Sequence, residues 1–511
     1  MLSTSRVWLL VLLCSLAMSY GWGFRGDYGH EAGAMFPGCF LALSVLIASN
    51  RKDWLNRITP VALAGAIGWA FGGSMSYGKV IGYTAHSSVP DVVYGFACLF
   101  LIGALWGSIG AGCLGLSLTM KRSWLNQWAG PLFLLFCTLQ LLDHTGTTEW
   151  LQEEYLKNWD VDWVAACSGS IVAVVCMVVP VWRSAAGLMF TLSVGWLLGF
   201  FILTYTLGIR MTPPRGDNWA GCLGLAIAFF IWLHVNRLRA VRYLFLVGLL
   251  SGGYGFAIGD GLNMMGRAGW GPIGELAKSL KLDAWKWMEQ SFGLIMGFGV
   301  ALGILQMLRK RIQPPDEDAP AGSIHLIGLV FLLIIMPWLN FFKNVRRLAE
   351  NNQLGQPLFG MPQEFWYFLI GGLVSLVILI AILLYRRGKL LIIPSTALGK
   401  AQWLLLFLMW ISVLAAFMQA MPHMNRTGTL WVHITFWITA SLVTLLTVCA
   451  SITTEETILD PGNSAMDPSW RMGTWMWLLI ALVPFLIGIL TYGTIAMHDA
   501  PLPGSHLRFE K

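Results

Sequence analysis

The chain has 511 residues, of which 56% are hydrophobic and 12% charged, with a formal net charge of +7. Soluble domains carry about 25% charged residues, so the composition excludes an ordinary cytosolic enzyme, a disordered chain and a nucleic-acid binder. A membrane helix takes roughly 20 apolar residues, which leaves room for about 14 spans and little else. The expected fold class is all-α, a polytopic helical membrane protein with the lipid bilayer as its first partner.

Residues 7–20 follow Arg6 and resemble a signal-peptide core. The apolar stretch continues through Phe24, and a second begins almost at once, so the segment reads as a first membrane helix rather than a cleaved leader. Apolar runs of spanning length then fall near 29–49, 58–78, 91–118, 128–142, 163–182, 185–208, 218–235, 243–259, 289–308, 324–342, 365–385, 401–421, 431–450 and 473–496. With 7–24 that makes 15 candidates, or 14 if the short 128–142 run is set aside. Helices are the only option for such runs, because lipid satisfies no free backbone group.

Basic residues recur at alternate connections. They are Arg51, Lys52 and Arg57; Lys121 and Arg122; Arg183; Arg237, Arg239 and Arg242; Arg309, Lys310 and Arg311; and Arg386, Arg387 and Lys389. Positive charge stays in the cytoplasm, which puts the N-terminus inside and the connections at 25–28, 79–90, 143–162, 209–217, 260–288, 343–364 and 422–430 outside. Lys343, Arg346 and Arg347 are the exception. The stretch 309–323 reads as a cytoplasmic Pro-rich linker. It divides a duplicated bundle, 1–308, from a C-terminal bundle, 324–511.

The segment 24–38, FRGDYGHEAGAMFPG, carries the densest chemistry. Asp27, His30 and Glu31 stand at i, i+3 and i+4, a spacing that puts them on one helical face. Arg25 is a turn away or less, and Pro37-Gly38 is placed to break the second span. Ionisable groups near a bilayer are expensive and tend to be functional. Such a trio suits a proton relay, a general base or a divalent cation; the plainer reading is a pair of interfacial ion pairs.

An internal repeat is expected between 21–122 and 208–311. Each half opens on Arg-Gly-Asp (Arg25 to Asp27, Arg215 to Asp217) and carries Gly-Cys in an apolar run (Gly38-Cys39, Gly221-Cys222). Each then has a Gly-aromatic-small-Phe motif (Gly68 to Phe71, Gly253 to Phe256) and a further Gly-rich span. The order is the same in both, so the repeat is parallel. Matched Gly-rich interruptions of this kind mark ligand sites in transporters; taken singly, glycines in spans serve close helix packing. The ionisable residues beside them extend the site expectation to Lys79, His86, Arg215, Asp217, Asp260, Asn263 and Arg267, with Tyr83 and Glu289-Gln290 nearby. Most of the 26 Trp belong to interfacial belts, although Trp270 and Trp285 are also placed to stack on a sugar face.

The nine cysteines all lie in apolar runs, with no CxxC pair and no His at zinc spacing. No Walker loop, HExxH or GxSxG is present. Neither a cofactor nor a resident metal is expected. An Asp just after the first span on the outer side resembles the lipid-linked-sugar glycosyltransferases, although their large external loop has no counterpart here. Two functions follow. One is a multi-pass transporter of a small polar solute, proton- or ion-coupled. The other is a membrane-embedded transferase or hydrolase with an outward site for lipid-linked or envelope glycoconjugates. Compact loops favour a bacterial inner membrane.

Overall fold

The computed structural model describes residues 3–29, 31–72, 75, 77–151, 162–213, 218–312, 322–350, 354, 356–390, 392–420, 427–453, 473–498 and 500–509. Among them every regular element is a helix. Helices α1 (Thr4–Tyr28) and α2 (Glu31–Ser49) form the first hairpin. After α3 (Lys52–Leu55) come α4 (Ile58–Phe71), α5 (Gly78–Thr84) and α6 (Val89–Thr119). A peripheral group follows: α7 (Arg122–Asn126), α8 (Ala129–His144), α9 (Thr147–Glu149), α10 (Trp163–Met177), α11 (Arg183–Phe200) and α12 (Asn218–Val235). The core resumes with α13 (Arg239–Ala268), the short α14 (Gly271–Ser279) and α15 (Ala284–Arg309). The chain ends with α16 (Ser323–Val330), α17 (Met336–Glu350), α18 (Gln363–Arg386), α19 (Ala397–Ala420), α20 (Thr427–Thr453) and α21 (Thr474–Met497).

Among the described residues thirteen helices are long and apolar enough to cross a membrane, and Ile58–Phe71 and Trp163–Met177 are shorter apolar helices. The chain is thus a multi-pass helical membrane protein. The expected short run at 128–142 belongs to a 23-residue apolar stretch, Arg122–His144. Much of the expected linker, residues 313–321, lies outside the described residues.

Helix α1 stands in the centre. Met18 and Cys14 pack their backbone carbonyls against Gly293 and Gly297 of α15, and Tyr20 bonds Ser412 of α19 at 2.7 Å. The longest seam joins α6 to α13. Gly103 and Gly107 on one helix meet Gly252 and Gly248 on the other so closely that a Cβ at any of the four would collide with the opposing backbone. Lipid tails are as apolar as side chains, so helices in a membrane gain by such close backbone approach. The same device joins α2 to α4 at Gly38 and Gly65, and α11 to α12 at Gly199 and Gly224. Helices from both sides of the 309–323 stretch share one apolar core, which runs from Leu9 to Ala450.

Polar contacts sort the connections to two ends. At one end Arg51 pairs with Asp53 and bonds Ile312 O, Arg57 bonds Met120 O, and Thr59 bonds His325. At the other end lie the tips of α1, α5 and α13 and a C-terminal strap. Leu502 N donates to Ala85 O at 2.9 Å, His506 N to Gly82 O at 2.8 Å, and Arg508 N to Asp91 Oδ1 at 2.5 Å. Arg267 completes the strap's attachment at Pro503 O.

Pro37 does not break α2, which runs on to Ser49. The missing backbone bond is offset by packing, since Gly21 of α1 lies directly against the Pro37 ring. The break falls elsewhere. Helix α4 stops at Phe71, α5 starts at Gly78, and the described residues between them are not α-helical. Both pieces run the same way along α6. Gly68 meets Gly110 and Cys113, Gly72 meets Trp106, and Thr84 meets Gly95. Helices α4 and α5 therefore follow one another across the bundle, α4 ending near the level of Trp106, about halfway along α6.

Candidate functional site

The interruption opens beside a buried charge cluster. Arg25 lies in the last turn of α1, about 5 Å of helix rise from its end, and Glu289 lies about 8 Å into α15. Each is only 2% exposed. The Arg25 guanidinium is 5.3 Å from the Trp22 ring, 5.1 Å from Tyr77 and 5.1 Å from Trp106. Three aromatic faces thus replace part of the water that the cation loses. Arg25 Nη1 donates to the Tyr77 hydroxyl at 2.5 Å, and that hydroxyl donates to Glu289 Oε1 at 3.0 Å. Arg25 Nη1 also stands 3.5 Å from Glu289 Oε1 as an ion pair.

The rest of the carboxylate is held from its own helix. Trp285 Nε1 donates to Oε1 at 3.2 Å, and Lys286 Nζ donates to Oε2 at 3.4 Å and to Gly23 O at 3.0 Å. Trp285 and Lys286 stand four and three residues before Glu289, spacings that bring both side chains to the carboxylate's face of α15.

A cavity of about 250 Å³ opens here, lined by Arg25, Gly26, Gly29, Tyr77, Gly78, Trp285 and Glu289. Its charged groups are of both signs, and the Tyr77 and Trp285 rings stack at 5.8 Å to form an aromatic wall. Beneath it Trp22, Trp106, Phe256 and Phe292 close the way to the middle of the bundle, with centroids 4.6 to 6.1 Å apart.

The sequence-expected residues are distributed differently from the expectation. Asp27 and Glu31 do not share a helix. Helix α1 ends at Tyr28, and Gly29 turns the chain at φ +99° with extended ψ, a conformation essentially closed to other residues. Glu31 opens α2 and is exposed. The Asp27 side chain, His30, Arg215 and Asp217 lie outside the described residues. Lys79 opens α5 and donates to Pro213 O at 2.6 Å. His86 accepts from Ser88 N at 3.0 Å. Asp260 and Asn263 are fully buried and joined at 3.1 Å, and Arg267 holds the strap. Of Trp270 and Trp285, Trp285 forms the pocket wall, whereas Trp270 is exposed before α14.

Sequence reasoning underrated Glu289 and missed Tyr77 and Lys286. The signals were present. Trp285-Lys286 followed by Glu289 puts two charges into the first turns of a span, and the Gly- and Ser-rich 72–78 run interrupts an apolar stretch.

No protein-family model, curated protein or solved structure matches this chain. The functional reading therefore rests on the site itself.

Proposed function

We propose that the chain transports a small polar solute, bound in the pocket between Arg25, Tyr77, Trp285 and Glu289. The observation that carries this reading is that α4 ends at Phe71 and α5 begins anew at Gly78, beside that pocket. Transporters form their sites at discontinuous helices, where freed backbone groups serve the ligand. An intact span would suffice for packing alone. Opposite charges and an aromatic wall suit a zwitterion or a polyol. The aromatic floor below would act as the closed gate.

The basic connections gathered at the opposite end favour an extracytoplasmic mouth and a cytoplasmic N-terminus. A bacterial inner membrane fits the compact loops. The parallel duplication of 21–122 and 208–311 belongs to the same proposal, with an asymmetry. In the first copy α4 ends at Phe71 and α5 begins at Gly78, whereas their counterpart α13 is continuous, and Gly38 packs on Gly65 where Gly221 packs on Trp196. One copy would carry the site on a shared scaffold.

The pocket's position favours a second reading. It lies nearer one end of the bundle than the middle, as a membrane-embedded transferase or hydrolase of lipid-linked or envelope glycoconjugates requires. Thermal unfolding of the purified protein, screened against amino acids and monosaccharides, tests the shared premise of a solute site. A stabilising compound whose effect disappears in Glu289→Gln supports it. A hit that stabilises both proteins equally places binding elsewhere and contradicts it.

A further inference from the structure

A second buried cluster lies at the same end of the bundle, beneath the strap. Asp260 of α13 is wholly shielded from solvent. Its Oδ2 accepts from the Thr84 hydroxyl at 2.5 Å and its Oδ1 from Asn263 Nδ2 at 3.1 Å. Both donors are neutral. The Arg267 guanidinium, two turns further along the same helix, is engaged at Pro503 O. A buried carboxylate with no countercharge in contact is costly, so in proteins it is paired, protonated or bound to a cation.

Asn263 decides among these. Its amide nitrogen serves Asp260 and lies 4.0 Å from Met288 Sδ, while its Oδ1 is buried without a partner. With the amide nitrogen turned to Asp260, a proton on the carboxyl cancels the charge but leaves that acceptor unmet. A hard cation answers both needs, because it cancels the charge and takes the lone pairs of several oxygens. The oxygens available are those of one carboxylate, one amide and one hydroxyl. A single carboxylate balances a single positive charge, whereas a divalent ion would leave net charge in the core. Water is kept out from above, where the strap lies on α5 through Leu502 and His506.

We infer that Asp260, Asn263 and Thr84 form a binding site for a sodium-sized monovalent cation. The site is separate from the Glu289 pocket but shares α15 with it, since Met288 touches Asn263 and the next residue is Glu289. It stands whether or not that pocket carries a solute.

The test is thermal unfolding of the full-length protein in detergent, with sodium chloride exchanged for choline chloride at constant ionic strength. A ligand that binds only the folded state raises the melting temperature saturably. The expected result is a saturable rise with sodium in the wild type, its loss in Asp260→Asn, and a half-saturating concentration at least tenfold higher in Asn263→Ala. If Asp260→Asn does not fold, Asn263→Ala carries the test, and an unchanged half-saturation overturns the site. A wild-type melting temperature indifferent to sodium overturns it, as does a shift retained in Asp260→Asn. So does a shift that follows pH alone at every sodium concentration, which would mark Asp260 as protonated.

Discussion

Gly26 and Glu289 touch with no room between them: a Cβ on residue 26 would collide with both oxygens of the carboxylate. The helix α1 backbone thus forms one wall of the Glu289 position. Gly26→Ala is expected to push the carboxylate away from Tyr77 and Arg25 and to lower solute binding at least tenfold. Gly187→Ala is the control, because a Cβ there meets nothing within 4 Å. Titration of a stabilising solute against both variants measures the difference. Equal affinities would mean that Glu289 does not hold the ligand.

Arg25 is expected to be the costliest single side chain at the site. Its guanidinium pairs with Glu289 and faces three rings. Breaking a buried pair costs up to about 3–5 kcal/mol, and without Arg25 the Glu289 carboxylate keeps Lys286 as its cation but loses the one that faces the three rings. Arg25→Ala should therefore lower the melting temperature far more than Arg122→Ala, whose side chain bonds Asn56 O near the surface. Arg25→Lys should recover part of the loss, since an ammonium keeps the charge but not the planar fork. Thermal unfolding of the three variants checks the order.

The glycine seam between α6 and α13 is expected to tolerate no enlargement. Gly252→Ala sets a methyl against the Gly103 carbonyl and the Gly107 backbone, which cannot move aside. Gly261→Ala meets only the end of the Leu490 side chain. The first variant should lose most of its folded yield in detergent and the second little of it. Size-exclusion profiles distinguish them, and a well-behaved Gly252→Ala would show that the two helices separate at small cost.

Acidification is expected to loosen the C-terminal strap. Burial lowers the His498 imidazole below its ordinary value, and the positive Arg267 and neighbouring His86 act in the same direction. A histidine depressed in the folded state is held neutral there. Its contribution is present above about pH 6.5, the unperturbed value, and is lost as pH falls below it, where the undocked strap binds the proton more readily. Protease cleavage after Arg508, followed from pH 8 to pH 5, should accelerate at the acid end. His498→Gln should flatten that profile.

The helical class and nearly every span are legible in the sequence because a bilayer demands long apolar runs and nothing else satisfies the backbone. Arg25 is legible too, since a cation in the last turn of a span is costly. What misleads is continuity. Asp27, His30 and Glu31 have helical spacing, but Gly29 at φ +99° ends the helix between them. Pro37 has the look of a break and is not one, because a glycine on the neighbouring helix accommodates its ring. The pairing of Arg25 with Glu289 joins residues 264 positions apart. Spacing carries no information about such a contact. Only the packing of α1 against α15 creates it.

The claim that a solute crosses the membrane through this pocket is tested most directly by uptake into proteoliposomes. A labelled compound selected by the thermal screen would be offered under imposed sodium and proton gradients to wild type, Glu289→Gln and empty vesicles. Transport predicts accumulation in wild-type vesicles at least tenfold above the other two. Binding without movement under any gradient would contradict transport and leave the outward-facing enzyme as the reading of the site.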